Sequence, residues 1–158
     1  MNVPDGLADA LLTMGSDALI GTNHDGIVNF WNLGATRIFG FSADETIGQS
    51  LDLIIPPNLR ERHWEGFHRV MTTGESHYGH GDLLWVPAQT KSGQRVSVEF
   101  TIAMLRDQEQ RPAGVVAILR DVTKRFDEVR TLKRQLADMM RKGQNAAAKA
   151  TVLLRSPR

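Results

Sequence analysis

Residues Leu59 to Gly74, LRERHWEGFHRVMTTG, carry an imidazole into an apolar row. Leu59, His63, Phe67, Val70 and Met71 recur at helical spacing and share one face, the face expected to meet a core, while His68 points elsewhere. A neutral imidazole aimed inward has two uses. It can hydrogen-bond a nearby peptide group, or it can bind a metal through one nitrogen while the other donates to a carbonyl or a water. Spacing alone leaves both open. His77 and His80, just beyond Gly74, are further donors or ligands if they turn inward, and solvated loop residues if they do not.

Other chemistries find little support. The chain has no cysteine, which removes disulfides, thiolate nucleophiles, cysteine-based zinc sites and any light sensor working through a cysteinyl-flavin adduct. There is no glycine-rich phosphate loop followed by lysine, no H-E-x-x-H and no serine-centred elbow, and the carboxylates are scattered over turns and the C-terminal helical region. The expectation is a protein that is not an enzyme. Nineteen basic side chains against 18 acidic ones leave a net charge of +1, so charge makes no case for nucleic acid or a membrane surface. No apolar run approaches the roughly 18 residues of a membrane span, and the amino end lacks a signal-peptide pattern, so the cytoplasm is the expected address.

The elements that must position His63 are legible in outline. The 158 residues, 41% of them hydrophobic, suffice for one domain with extensions. Leu7, Leu11 and Met14 follow a helical period after Pro4. DALIGT and IVNFW are two short strands joined at Asp25-Gly26, a pair suited to a tight hairpin. Asn32 can cap a helix that Gly40 ends, and Ser42 with Glu45 forms a capping box. The longer helix runs from about Asn58 to Thr72 after Pro56-Pro57, and Gly74 stops it. Leu83 to Thr90 reads as a strand. In VSVEFTIAML, Val96, Val98, Phe100, Ile102 and Met104 alternate with polar residues and form one inward face, and AGVVAILRDV is a further strand. The grouping of elements predicts an α+β fold with helices gathered on one face of an antiparallel sheet.

From Thr123 the pattern changes to heptads. Val122, Val129 and Leu136 lie seven apart, as do Leu132 and Met139, although Arg125 interrupts the seam. Glu128 and Lys133 would face each other across a parallel pair of such helices. The alternative is a helix packed back on its own sheet, and the tail GQNAAAKATVLLRSPR either continues the helix or hangs free. The domain division expected is an N-terminal amphipathic helix over 1–15, a core over 16–122, a coiled-coil-like helix over 123–142 and a tail over 143–158.

The order ALIGTNHDGIVNFWNLGATRIFGFSADETIGQSLDLIIP, then RHWEGFHRVMTTG, then KSGQRVSVEFTI and GVVAILRDVT, resembles a PAS domain of the S-box type from about Ser16 to Thr123. The resemblance implies a five-stranded antiparallel sheet cupping a small cavity under short helices, a sensory or dimerising role in signal transduction, and transmission through the helix after the DVT sequence. Within the family, Arg62-His63 is similar to the arginine-histidine pair of the heme-binding PAS domains of rhizobial oxygen-sensing kinases, whose histidine ligates the iron. That likeness implies heme b held by His63 as proximal ligand, in a diatomic gas or redox sensor. His77 or His80 is a candidate distal ligand. Phe67, Leu53, Ile54, Phe100, Ile102, Met104, Val115 or Val116, and Ile118 are the candidate apolar wall. The oxygen-sensing members place an arginine where this sequence has Leu83 or Leu84, a departure that weakens the case for oxygen specifically. Family members also hold flavin or small metabolites, or no cofactor at all. The partners implied are a second copy, pairing through the terminal helices and the sheet, and a separate signalling output protein.

Overall fold

The computed structural model describes residues 4–74 and 84–155. Two compact units divide the chain, one ending at Val122 and the other beginning at Thr123. In the first, helix α1 (Leu7–Thr13) precedes strands β1 (Ala18–Asn23) and β2 (Val28–Trp31), then helices α2 (Leu33–Phe39), α3 (Ala43–Thr46) and α4 (Arg60–Thr73), then strands β3 (Leu84–Gln89), β4 (Arg95–Arg106) and β5 (Pro112–Asp121). Two 3-10 turns, Leu51–Leu53 and Pro57–Leu59, lead into α4. The second unit is one helix, α5 (Thr123–Arg155), so 143–155 continues as helix.

The five strands form one sheet in the order β2-β1-β5-β4-β3, every neighbouring pair antiparallel. This is the α+β architecture the grouping of elements predicts. The central strand is β5, which pairs with β1 on one side and β4 on the other. Its register is closely constrained. Gly114 lies opposite Asn23 of β1 and Leu105 of β4, and a Cβ at 114 would stand 2.0 Å from the Thr22 carbonyl oxygen. No side chain fits there.

The helix starts follow from local chemistry. Ser42 and Glu45 make a reciprocal capping box on α3. Asn32 caps α2 and does more: its buried Oδ1 accepts from the N–H groups of Ala35 and Leu19, both at 2.9 Å. Its Nδ2 donates to the carbonyls of Leu11 (3.2 Å), Met14 (3.0 Å) and Asp17 (3.0 Å). Nearby, the Arg37 guanidinium donates to the Gly15 and Ser16 carbonyls, both at 2.7 Å. One buried amide thus joins the end of α1, the start of β1 and the start of α2.

Among the described residues the buried apolar side chains form two clusters. The larger gathers Ala18, Ile20, Trp31, Phe39, Val98 and Leu119 with neighbours that include Ile54. The smaller joins Phe67 and Met71 of α4 to Val115 of β5, with Trp64, Val70 and Met104 packed against it. Most domains have one contiguous core with satellites. Here the division falls on the inward face of the sheet, beneath α4.

Candidate functional site

Helix α4 is fixed at its start by Arg60, whose Nε donates to the Ile55 carbonyl (3.2 Å) and whose guanidinium Nη2 donates to the Asp52 carbonyl (3.0 Å). These bonds tie the apolar segment Leu53–Ile55 to the helix and set the direction in which the next turn faces. That turn carries His63. Its imidazole is half-buried, stacked on Phe67 at 6.1 Å between centroids and met edge-on by Trp64 at 4.8 Å. The His63 Nδ1 is buried and has no hydrogen-bond partner among the described residues. Burial pushes the imidazole below its ordinary pKa, the Asp52 carboxylate pulls it upward, and His68 adds to the lowering. Burial therefore favours the neutral ring, the state in which imidazole can donate a lone pair to a metal.

Trp64 reaches away from the interior row, as its angular offset from His63 dictates, yet it touches His63 and Phe67 together. Its Nε1 donates to Asp52 Oδ1 at 2.8 Å. Its six-membered ring covers Gly26, where a Cβ would come within 2.3 Å of the indole. Gly26 has φ of 76°, so the Asp25-Gly26 turn favours glycine twice, for its backbone and for the space Trp64 takes. The sequence pattern marks the turn at Asp25-Gly26 but not its contact with Trp64, nor the part played by Asp52. The one signal for Asp52 was an acid set in the apolar run LDLII.

The sheet face beneath α4 is defined by strand pairing. Met104 pairs with Val115, Ile102 with Ala117 and Phe100 with Leu119, so these six side chains share the inward face. Phe100, Ile102 and Met104 are only partly buried. Leu53 and Phe100 pack on the larger cluster, Ile54 is buried within it, and Phe67 and Met104 belong to the smaller one. Ile102 lies between Phe100 and Met104 on the inward face and is a member of neither cluster. Leu84, paired with Phe100, places an apolar side chain on that face.

Two members of the expected wall are corrected. Val116 pairs with Ala103 and Ile118 with Thr101, on the opposite face of the sheet, and Ile118 is 48% exposed. The inward residues of β5 are Val115, Ala117 and Leu119. His77, His80 and Leu83 lie outside the described residues.

Two features of the residues present are compatible with a heme. They are one imidazole with a buried nitrogen unpaired among the described residues, and a facing apolar surface that is incompletely covered. Leaving such a nitrogen unpaired costs about 1–3 kcal/mol, a cost that a bound group would remove. A separate groove of about 460 Å³ lies between Phe41, Leu53, Arg60 and Lys91, and His63 does not line it. Its cations are already engaged, Lys91 with Glu45 and Arg60 with Asp52 at 3.7 Å. Among the described residues no three His, Asp or Glu side chains gather into a metal cluster, and no helix is long and apolar enough to cross a membrane.

Comparison with known proteins agrees with the geometry. An uncharacterized protein of Azorhizobium caulinodans is 32% identical over 129 residues, which is 79% of this chain and 17% of that protein. The sensor protein FixL of Bradyrhizobium diazoefficiens is 36% identical over 61 residues, 39% of this chain and 12% of FixL. The chain therefore spans under a fifth of either relative. Among solved structures, a PAS domain from Colwellia psychrerythraea superposes with a TM-score of 0.63 at 22% identity, covering 74% of this chain and 94% of that one. The family model described as PAS domain matches residues 16–124, most of the chain. By that match and by its strand order, the chain belongs to the PAS domain family, a class of sensory signalling modules.

Proposed function

We propose that this PAS domain is a heme sensor in which His63 is the protein's ligand to the iron. The observation that carries this reading is the buried Nδ1 of His63, unpaired among the described residues, on an imidazole whose burial favours the neutral form. His63 would hold the group, and Phe67, Leu53, Ile54, Phe100, Ile102 and Met104, joined by Val115, Ala117 and Leu119, would surround it and exclude water. When bound, heme supplies an iron centre that takes a diatomic gas or changes oxidation state. The Leu84 side chain itself carries no hydrogen-bond donor, which supports carbon monoxide or nitric oxide over oxygen. The likeness to FixL, a sensor protein by name, supports the same reading.

The chain acts in this proposal as a receiver and not as a catalyst. Rearrangement of Phe100, Ile102 and Met104 would be felt by β5, which pairs with β4 along most of its length. In sequence β5 runs into α5, where exposed Val129, Leu132, Leu136 and Met139 form a stripe suited to a second copy. Glu128 and Lys133 would meet across a parallel pair. The output would lie in a separate protein or in another part of a longer chain.

Absorption spectroscopy tests the proposal. Purified protein titrated with hemin is expected to develop an intense Soret band that His63→Ala abolishes while circular dichroism stays unchanged. A colourless wild type, or a band indifferent to His63→Ala, overturns it. The contacts that Phe67, Met71 and Val115 already make with Trp64, Val70 and Met104 favour a second reading, a cofactor-free dimerising module. A colourless protein that still forms dimers would establish that one.

A further inference from the structure

A histidine that serves as a ligand must be held in one orientation, and nothing in the helix alone does this for His63. Among the described residues the ring has two aromatic neighbours, Phe67 beneath and Trp64 at its edge. Phe67 is anchored by the smaller cluster. Trp64 is anchored by polar and steric contacts from elsewhere in the chain: its Nε1 donates to Asp52 at 2.8 Å, and its ring rests on the turn at Gly26, where only a residue without Cβ leaves room.

Asp52 is itself placed by its surroundings. Its N–H donates to the Ser50 hydroxyl at 3.2 Å, its carbonyl accepts from Arg60, and its carboxylate also stands 3.7 Å from Arg60 Nε. A chain of contacts therefore runs from the β1–β2 turn and the 3-10 turn Leu51–Leu53, through the indole, to the imidazole. We propose that Asp52 and Trp64 form a clamp that fixes the His63 ring in its inward orientation, with Asp52 acting as a positioning residue through its hydrogen bond to Trp64. The consequence for heme affinity rests on the reading of the site given above. The clamp itself concerns the chain without any bound group.

Asp52→Asn retains an oxygen that can accept from Trp64, Asp52→Ala removes it, and Trp64→Phe keeps a ring near Gly26 but removes the donor. The orientation of His63 in the hemin-free full chain is read by the nuclear Overhauser effect between its imidazole protons and the Phe67 ring. Wild type and Asp52→Asn are expected to show that effect at full strength, while Asp52→Ala and Trp64→Phe lose at least half of it. In hemin titrations the same two variants are expected to bind about tenfold more weakly, the scale on which residues that orient a metal-bound histidine act, with Asp52→Asn near wild type. An undiminished effect in Asp52→Ala or in Trp64→Phe overturns the clamp, even where hemin still binds. A wild type that takes up no hemin sinks the heme reading, and the Overhauser comparison still decides the clamp.

Discussion

Two inward polar side chains of the helical layer contrast, Asn32 at the start of α2 and His63 in the second turn of α4. Asn32 is 1% exposed and every polar atom of its side chain is engaged, two N–H groups on its oxygen and three carbonyls around its nitrogen. Among the described residues, His63 keeps a buried nitrogen without a partner. A fully paired buried group spends its bonding capacity on holding segments of the same chain together. An unpaired one raises the free energy of the empty fold and retains capacity for something else. The junction at Asn32 is scaffold, and in the proposed reading the neighbourhood of His63 is where a ligand would complete the fold.

The largest effect should come from breaking the scaffold side. Asn32→Ala removes a helix cap and strands the Leu19 N–H and several carbonyls, and is expected to cost about 2–4 kcal/mol in urea unfolding. On the other side, His63→Leu replaces an unpaired polar ring by an apolar side chain and is expected to leave the hemin-free protein unchanged or about 1 kcal/mol more stable. A loss on the scale of Asn32→Ala would show that His63 has a structural partner and would end the contrast. Thr22 sharpens the comparison, because its hydroxyl, at 1% exposure, is also buried and unpaired among the described residues. Thr22→Val, nearly the same shape, is expected to raise stability by about 0.5–1 kcal/mol in the same measurement.

The subtlest effect concerns pH. Burial lowers the His63 pKa in the folded chain, so between that value and the unfolded value near about 6.5 the unfolded chain binds a proton that the folded chain refuses. The stability contributed by neutral His63 is complete above the unfolded pKa and declines as pH falls below it. Hemin-free wild type should weaken between pH 7.5 and 5.5 more than His63→Leu, measured as the denaturation midpoint. Asp17 follows the carboxylate sign in a lower window. Its bidentate bond to Arg120 lowers its pKa, so its contribution is present above about 3.9 and is lost in stronger acid.

What the sequence made legible was local or strictly periodic. The Asn32 cap, the Ser42–Glu45 box, the Asp25-Gly26 turn and the inward row Phe100, Ile102, Met104 are each set by residues within a few positions of one another, and all of them stand in the structure. The strand AGVVAILRD was different. It is apolar on both faces, so alternation could not select between Val115, Ala117 and Leu119 on one side and Val116 and Ile118 on the other. Pairing with β1 and β4 makes that choice. The bond from Trp64 to Asp52 joins residues 12 apart through two different elements, and neither residue type announces it.

The empty space at Gly114 decides which of those two sets faces α4. Sliding β5 by a single position would bring Ala113 or Val115 against the Thr22 carbonyl, where a Cβ collides, and would also exchange the strand's two faces. A missing methyl thus acts as a key cut for one alignment. Changes in side-chain volume at 115, 117 and 119 would leave that key in place, so evolution or design can reshape the inward face without the strand losing its place in the sheet.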